Sequence, residues 1–344
     1  MENNGIKIPT IKIVAKLAGV TPSVVSRVIN QDSRLSIREE TRNRILQAIK
    51  ELNFRPNQIA RSLRMKSTAT IAMVVPDIAN PFFAEIIKGA QDNAAKKEYS
   101  LILCNTDENA LKEKDYIKLL VNKQTDGIIL ASVYIEDETI GLLQNFNIPY
   151  VLVNRTFKND KVSYVIVDNV YGAVHAVQHL IDLGHKKIAH ISGLLYTETG
   201  LTRLEGYRKT LMKNKIDFNS DYVVESTFTE QGGYEAMLKL LRVSPLPSAV
   251  FASNDLIAFG AIDAIKEHNL SVPEDISVVG FNDIWMAKRI TPPLTTVRFP
   301  LYDMGRISIE ILINKIQKQN NLKDKIILTP ELIIRKSTCF LRSV

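Results

Sequence analysis

The sequence predicts an α/β protein, with a small helical module at the N-terminus followed by a larger core of doubly wound parallel sheets. A helix, a glycine turn and a second helix fit residues 11–30, and from residue 70 short apolar runs alternate with helical stretches. Runs that are apolar on both faces and joined by helices are typical of parallel sheets. The charge is also divided: residues 1–66 carry thirteen Lys and Arg against five Asp and Glu, and the rest has a net charge of −1. At 344 residues the chain is long enough for two or three domains.

The second helix of the pair, residues 21–30, has two different sides. Val25, Val28 and Ile29 share an apolar side, while Thr21 caps the helix and Pro22 suits its first position. The other side carries small polar groups and one arginine, namely Pro22, Ser23, Ser26, Arg27 and Asn30. Such a helix can enter the major groove, where Arg27 can donate two hydrogen bonds to guanine. A structural helix pair is the alternative, but the confined positive charge favours phosphate binding.

The rest of the N-terminal region predicts a third helix and a short connecting segment. Ser36 and Glu39 have the spacing of a capping box, with Ser36 as the cap. Residues 57–66 can form about two turns of helix with Ile59, Ala60 and Leu63 on one face, too few to be stable alone. One interpretation is a hinge helix that folds only against a second copy and DNA, with Leu63 as a minor-groove wedge. The other is a flexible linker.

The core contains seven strand candidates, at 70–76, 100–105, 126–132, 150–154, 187–192, 248–253 and 276–281. Polar and aromatic residues follow several of them, as ligand-binding residues do at the carboxyl ends of open α/β sheets. They include Phe82, Phe83, Asn154, Asn254 and Asn282. Carboxamides and flat rings suit a polyhydroxylated or aromatic small molecule. Asn and Asp after a strand also cap helices and form turns, so each one alone has a structural alternative.

Several function classes find no support in the sequence. The nucleotide-binding glycine loops and the G-x-S-x-G elbow are absent, and His175 and His179 lack a third metal ligand at a suitable spacing. We therefore predict no enzyme activity, no cofactor and no metal. With no signal peptide or membrane span in the sequence, we expect a cytoplasmic protein. Two rivals stay open, an extracytoplasmic ligand receptor without a DNA role and an enzyme on a doubly wound sheet.

The motifs taken together resemble the lactose-repressor/galactose-repressor family of bacterial transcription regulators. The resemblance covers nearly the whole chain after residue 9 and rests on IKIVAKLAGVTPSVVSRVIN, LNFRPNQIARSL, HLIDLGHKKIAHISG, ASNDLIAFGAI and VPEDISVVGFND. It implies a helix-turn-helix head (1–56), a hinge helix (57–66) and a periplasmic-binding-protein-like core (67–344). Within the core it implies one subdomain of 67–167 plus 298–327 and a second of 168–297 plus 328–344.

The resemblance also implies roles for individual residues. Pro22, Ser23 and Arg27 match base-reading positions, and Leu63 matches the residue that inserts into the minor groove. Phosphate contacts and hinge contacts fall on Thr21, Ser26, Asn30, Asn57, Ile59 and Ala60. The effector positions are Phe82, Phe83, Asn154, Arg203, Asn254 and Asn282, to which we add Trp285 and Phe299 as candidate walls of the site.

The expected partners follow from the same resemblance. We expect a homodimer on a near-palindromic double-stranded DNA operator and a small-molecule effector in the core cleft. A sugar-like effector is the first choice and a purine-like one the second. Asn282 and Phe299 stand where many members have Asp and Gln, so the resemblance does not fix the identity of a sugar. A protein co-regulator is an alternative occupant of the core.

Overall fold

The structure is a computed structural model that describes residues 9–30, 32, 34–54, 67–134, 138–157, 162–319 and 323–341. The chain divides into two units, Met1–Thr68 and Ala69–Val344. The predicted fold class is confirmed, because a three-helix head is followed along the chain by two sheets that helices cover. The hinge residues of the prediction, Asn57, Ile59, Ala60 and Leu63, lie outside the described residues.

The head is built from α1 (Ile11–Ala18), α2 (Pro22–Ile29) and α3 (Glu39–Glu51). One fully buried residue from each helix, Val14, Val25 and Ile45, lies in its core. Gly19 ends α1 with a φ of 67°, a left-handed conformation that glycine adopts without steric cost. The tight turn that follows brings α2 against α1, as a helix-turn-helix requires.

The predicted caps of the head differ from the observed ones. Thr21 occupies the N-cap position of α2, but its side chain makes no capping hydrogen bond. The capping box at Ser36 is wrong, since α3 begins at Glu39 after an N-cap at Arg38. Residues 35–38 stay outside the helix because Leu35 and Ile37 pack against the head core. Glu39 then lies in the first turn, where its charge favours the helix dipole.

The first sheet of the core contains six parallel strands in the order β11–β5–β4–β3–β1–β2. The strands are β1 (Thr70–Val75), β2 (Ser100–Asn105), β3 (Gly127–Leu130), β4 (Tyr150–Val153), β5 (Tyr164–Val167) and β11 (Lys325–Leu328). Its helices are α4 (Pro81–Lys96), α5 (Ala110–Asn122), α6 (Glu138–Asn145) and α11 (Leu301–Ile316). All residues of β3 are buried, which explains its continuous apolar sequence.

The second sheet has the order β12–β10–β9–β8–β6–β7, and only β12 runs antiparallel to its neighbour among these described strands. The strands are β6 (Ile188–Ser192), β7 (Val223–Glu225), β8 (Ala249–Ala252), β9 (Ser277–Asn282), β10 (Thr295–Arg298) and β12 (Glu331–Ile333). Its helices are α7 (Asn169–Asp182), α8 (Glu198–Lys213), α9 (Glu230–Leu240) and α10 (Asp255–Glu267), with a 3₁₀ turn at Ser220–Tyr222.

The chain passes between the two sheets three times, after β5, after β10 and after β11. The strands at these crossings are β5, β10, β11 and β12. Together with β7, they are the five strands that were not predicted from the sequence. Each has only three or four residues. Such short segments give a weak periodicity signal, and they become strands because neighbouring strands of the same sheet supply the hydrogen bonds.

Close packing of α4 against α11 covers the first sheet near the cleft. A Cβ at Gly89 would collide with the backbone of Tyr302, and one at Gly305 would collide with the backbone of Ile86. Glycine at both positions therefore lets the two helix backbones approach. This contact fixes the N-terminal end of α4, where Phe82 and Phe83 are buried. In the part of the chain that the structure describes, no helix has the length and apolar character needed to span a membrane.

Candidate functional site

A cavity of about 400 Å³ lies between the two sheets of the core. It is lined by residues that follow β1, β2 and β4 of the first sheet and β6, β7, β8 and β9 of the second. Its volume is in the range of small-molecule sites. The lining residues are Pro76, Asp77, Asn80, Phe82, Phe83, Asp107, Glu108, Asn154, Arg155, Leu194, Tyr196, Thr199, Arg203, Thr227, Phe228, Thr229, Asn254 and Asn282.

Two of the lining asparagines are helix caps. Asn80 Oδ1 accepts a hydrogen bond from the Phe82 N–H at 3.0 Å at the start of α4. Asn254 Oδ1 accepts from the Ile257 N–H at 2.8 Å, and its Nδ2 donates to the Phe228 carbonyl at 3.1 Å. Helix capping therefore explains both the presence and the orientation of these two carboxamides.

The other two asparagines, Asn154 and Asn282, leave an acceptor unused. Both are 6% exposed, and the Oδ1 atom of each is buried without a hydrogen-bond partner. They follow or end strands of different sheets and have φ values of 68° and 116°, which turn the chain sharply at the cleft. A buried polar atom without a partner costs free energy. A ligand that donates a hydrogen bond to either oxygen would recover it.

The backbone at Asn282 is held by an ion-pair cluster behind the cavity. Asp283 is 6% exposed and accepts from Arg298 Nε at 2.6 Å and from Arg335 Nη2 at 2.7 Å. Arg298 ends β10, so this cluster links the residue beside Asn282 to one of the chain crossings. Asp283 therefore positions the loop that carries Asn282.

Arg203 is a deeply buried charged group of the cavity wall, with 3% exposure. Its Nε donates to Asn169 Oδ1 at 2.9 Å, and its Nη1 donates to the Ser253 carbonyl at 2.5 Å. The guanidinium lies 3.9 Å from the centroid of the Phe281 ring. Burial lowers the pKa of Arg203 to about 9, against the opposing effect of Glu198, so the group stays charged at neutral pH.

Two carboxyl groups near Arg203 are held in low-dielectric surroundings. Burial raises the pKa of Glu198 to about 7, although the Arg203 charge opposes this shift. Burial also raises the pKa of Asp255 to about 7, against the hydrogen bonds from Thr296 and Ile284. Both groups therefore exchange a proton near neutral pH.

Arg155 lies on the opposite wall and forms a bidentate ion pair with Glu108. The two distances are 3.0 Å from Nη1 to Oε2 and 2.7 Å from Nη2 to Oε1. Arg155 is 3% exposed, and its guanidinium carbon lies 5.6 Å from the centre of the Phe228 ring on the second sheet's side. The rings of Tyr134 and Tyr196, 5.5 Å apart, make a second contact across the cleft.

Aromatic rings supply most of the apolar lining. Phe82 and Phe83 are both 4% exposed and meet edge to face, with ring centroids 4.9 Å apart. Phe228 covers the second wall and lies against Gly193, where a Cβ would collide with its ring. Rings of this kind present flat faces to the C–H face of a sugar or to a planar base.

Six of the eight predicted effector residues line the cavity: Phe82, Phe83, Asn154, Arg203, Asn254 and Asn282. Trp285 and Phe299 do not. Trp285 is 60% exposed, because the chain turns outward after Asp283. Phe299 is 3% exposed and lies behind the wall, with its ring centroid 6.1 Å from that of Phe82 and 5.9 Å from that of Phe281.

No effector role was predicted for several lining residues, chiefly Glu108, Arg155, Tyr196 and Phe228. Glu108 follows the predicted strand 100–105 by three residues, and Arg155 directly follows the predicted strand 150–154, so the strand-end rule points to both. Phe228 follows β7, a strand of three residues that the sequence does not mark. Tyr196 lies before α8 with its side chain 50% exposed, and nothing in the sequence distinguishes it from a surface tyrosine.

The head presents the predicted nucleic-acid-facing side of α2 to solvent. Thr21, Pro22, Ser23 and Asn30 are exposed, and Ser26 is half-buried. The Arg27 side chain is 42% exposed, and its Nε donates to Asp32 Oδ2 at 3.0 Å. Asp32 thus holds the guanidinium in a defined position at the end of α2.

Neither unit offers a metal centre within the described ranges, where no group of three or more His, Cys, Asp or Glu side chains could hold an ion. The arrangement of the core is that of a binding site, with rings, carboxamides and two guanidinium groups around an open cavity. A chain with a helix-turn-helix head and such a core belongs to the class of ligand-responsive transcription regulators.

Comparison with known proteins agrees with this class. The profile described as "Bacterial regulatory proteins, lacI family" matches residues 10–57, and that of the periplasmic binding protein-like domain matches residues 177–338. The chain is 39% identical over 329 residues to the HTH-type transcriptional repressor PurR of Pasteurella multocida (strain Pm70). It is 40% identical over 334 residues to PurR of Haemophilus influenzae (strain PittEE). Each alignment covers 95% of this chain and 98% of the relative.

Solved structures show the same similarity. The Lac repressor dimer bound to operator and the anti-inducer ONPF has a TM-score of 0.86 at 28% identity, covering 97% of this chain and all of that one. The complex of the transcriptional regulator CelR with cellobiose has a TM-score of 0.74 at 32% identity, covering 96% and 99%. The chain belongs to the lacI family of bacterial regulatory proteins. The relatives named here are transcriptional repressors and regulators, not enzymes.

Proposed function

We propose that this repressor binds a near-palindromic operator as a homodimer and that a sugar-like effector in the core cavity controls that binding. The observation that carries the proposal is the pair of buried, unpartnered carboxamide oxygens, Asn154 and Asn282, on opposite walls of an aromatic cavity. A polyhydroxylated ring can donate to both oxygens while its apolar face packs on Phe82 or Phe228.

The head supplies the DNA contacts in this proposal. Lys and Arg of residues 1–66 neutralise phosphates, and Ser23 and Arg27 read base edges from α2. Pro22 makes only apolar contact, since its ring carries no hydrogen-bonding group. Thr21, Ser26 and Asn30 contact phosphates. In the hinge segment, Asn57, Ile59 and Ala60 order against the partner copy and DNA, and Leu63 enters the minor groove.

The effector acts by changing the relative energies of open and closed cores. A ligand that contacts Asn154 and Asn282 together binds only when the two walls are close, and Arg203 adds a donor from the second wall. The chain crossings after β5, β10 and β11 transmit the wall movement to the rest of the core. A coupling of about 1–3 kcal/mol would change operator affinity by roughly 5–150-fold.

A purine-like effector is the second candidate, and one observation favours it. The relatives at 39% and 40% identity are repressors named PurR, a name that refers to purines. The aromatic rings of the cavity would also stack on a planar base. CelR, which binds cellobiose, and a lacI-family regulator of Enterococcus faecium with bound ribose favour the sugar.

The homodimer is supported by the Lac repressor dimer and by exposed apolar residues on an edge strand. β2 is a terminal strand of the first sheet, and its Ile102 and Leu103 side chains are 43% and 38% exposed. Such an edge is normally covered by another chain or protected by charge. A second copy would cover it and would place two heads for two half-sites.

The test begins with an operator selected by the full-length protein from random duplexes. Its affinity is then measured by fluorescence anisotropy with and without cellobiose, ribose, hypoxanthine, guanine and nucleosides. We expect a symmetric operator, a steep fall of affinity with salt, and a change of at least about fivefold with one ligand class. Arg203→Lys should remove the ligand effect while basal operator binding persists. If no small molecule changes the affinity, a protein co-regulator would replace the effector in this proposal.

A further inference from the structure

The cavity contains both signs of charge, and their pairing bears on the charge of its ligand. Its lining includes three carboxylates, Asp77, Asp107 and Glu108, and two guanidinium groups, Arg155 and Arg203. An anionic ligand needs a cation whose donors are not already engaged. The availability of the two arginines therefore decides whether a phosphate or carboxylate can bind.

Arg155 is neutralised in place by Glu108. Both terminal nitrogens donate to its two carboxylate oxygens, at 3.0 and 2.7 Å, and the side chain is 3% exposed. Glu108 thus occupies the bidentate position that a phosphate would take. The remaining donor, Arg155 Nε, is buried without a hydrogen-bond partner. Its N–H can donate to one ligand oxygen, but an anion there would lie beside the Glu108 carboxylate.

Arg203 is partly engaged by the protein. Two of its three nitrogens donate to Asn169 Oδ1 and to the Ser253 carbonyl. Asn169 Nδ2 in turn approaches Glu198 Oε2 at 3.5 Å, so a carboxyl group already lies on the protein side of this guanidinium. Arg203 can therefore donate to ligand hydroxyls through its remaining N–H groups, while the nearby Glu198 carboxyl opposes the approach of an anion.

The unfilled acceptors favour a neutral ligand for a separate reason. Asn154 Oδ1 and Asn282 Oδ1 are buried without partners and require a donor. A hydroxyl group can donate or accept, whereas a phosphate dianion only accepts. A phosphate group placed at these oxygens would therefore leave them unpaired, and it would face three carboxylates.

Resting on the proposed effector function, we propose that the cavity selects an uncharged polyhydroxylated ligand and that Glu108 is the specificity-determining residue that excludes phosphorylated ones. Glu108 does so by occupying the guanidinium of Arg155. Removing its charge should convert this wall into an anion site.

The experiment uses full-length protein and inorganic phosphate as the probe. Melting temperature is followed with increasing phosphate at pH 7.5, against chloride of matched ionic strength, for the wild type and Glu108→Gln. We expect Glu108→Gln to bind phosphate at least about tenfold more tightly than the wild type, because a charged, bidentate donor becomes available. The double variant Glu108→Gln/Arg155→Gln should lose the gain.

Asp107→Asn is the matched control, because Asp107 lines the same wall but pairs with Lys112 rather than with an arginine. It removes the same charge without exposing Arg155, so no gain in phosphate binding is expected. A Glu108→Gln protein that gains no phosphate binding, or an equal gain in Asp107→Asn, would overturn the proposal. Phosphate binding to the DNA-binding head is the same in all four proteins and cancels in the comparison.

A second measurement needs no variant. The wild type is tested with glucose and ribose against glucose 6-phosphate and ribose 5-phosphate, and with cellobiose. Stabilisation by a free sugar but not by its phosphate supports the proposal, and stronger stabilisation by a phosphorylated sugar overturns it. If no sugar binds but Glu108→Gln still gains phosphate binding, the charge selectivity stands and the proposed sugar effector fails.

Discussion

The buried carboxyl of Asp255 should make the stability of the core depend on pH in a direction opposite to that of most aspartates. Asp255 begins α10 and is 0% exposed; its Oδ1 accepts from the Thr296 hydroxyl at 2.5 Å and its Oδ2 from the Ile284 N–H at 2.8 Å. Burial raises its pKa from 3.8 to about 7. The folded chain therefore holds a proton that the unfolded chain has already released between these two values.

The sign follows from proton linkage. Where the folded state binds more protons than the unfolded state, the free energy of unfolding falls as pH rises, by about 1.4 kcal/mol per pH unit and bound proton. The contribution of Asp255 is complete below pH about 4 and is lost as pH rises through about 7. Between pH 4.5 and 7.5 this amounts to about 3 kcal/mol, undiminished by solvent because the group is fully buried.

Asp255→Asn removes this pH-dependent contribution to the free energy of unfolding, because the carboxamide does not titrate. The free energy of unfolding of the variant minus that of the wild type should rise by about 3 kcal/mol from pH 4.5 to pH 7.5. Urea unfolding followed by circular dichroism at four pH values measures this difference. Asp263→Asn, an exposed position of the same helix, is the control and should keep the wild-type profile. A difference for Asp255→Asn that stays constant across this range would refute the burial argument.

Three further predictions concern the head and the walls of the cavity. Arg27→Lys should keep the salt dependence of DNA binding, since the charge remains, but should reduce discrimination at one base pair per half-site by about 1–3 kcal/mol; unchanged preference in a repeated operator selection would exclude Arg27 as a base-reading residue. Asp283→Asn should lower the free energy of unfolding by about 2–4 kcal/mol, because it leaves two arginines without their shared partner, whereas Glu331→Gln at the exposed end of the same cluster should cost under about 1 kcal/mol; equal costs in urea titrations would remove the positioning role. Phe299→Ala should cost about 3–5 kcal/mol and weaken effector binding as well, since its ring supports Phe82 from behind; a stability loss below about 1 kcal/mol would contradict that packing.

The cavity shows how far strand ends alone can locate a binding site. Placing polar residues after strands identified Asn154, Asn254 and Asn282 as members of one site, and all three line the cavity. The same rule could not separate their roles. The Asn254 carboxamide caps α10 through its oxygen and donates to the Phe228 carbonyl through its nitrogen. In the other two, the buried Oδ1 atom has no hydrogen-bond partner. That distinction depends on which atoms lie near each carboxamide in the folded protein, and the order of residues in the sequence does not give this information.

The sequence by itself determined the architecture and the types of residue available to the site. The periodicity of apolar residues and the composition predicted the helix pair and the long strands. These elements depend on the local spacing of apolar side chains and, for the helix pair, on the turn at Gly19. Charge counting separated the basic head from the near-neutral core, because charge is additive along the chain. The resemblance to a known family then supplied the order of the domains.

Only the tertiary structure decided which side chains meet. Glu108 and Arg155 are 47 positions apart and pair because β2 and β4 end at the same edge of one sheet. The short strands β5, β10, β11 and β12 form because neighbouring strands of the same sheet supply their hydrogen bonds. Phe299 lies behind the wall and Trp285 points away from it, although both follow strands of the second sheet. Local sequence sets the propensity of an element, but the pairing of distant residues, the burial of charges and the open acceptors of the cavity arise from packing over the whole core.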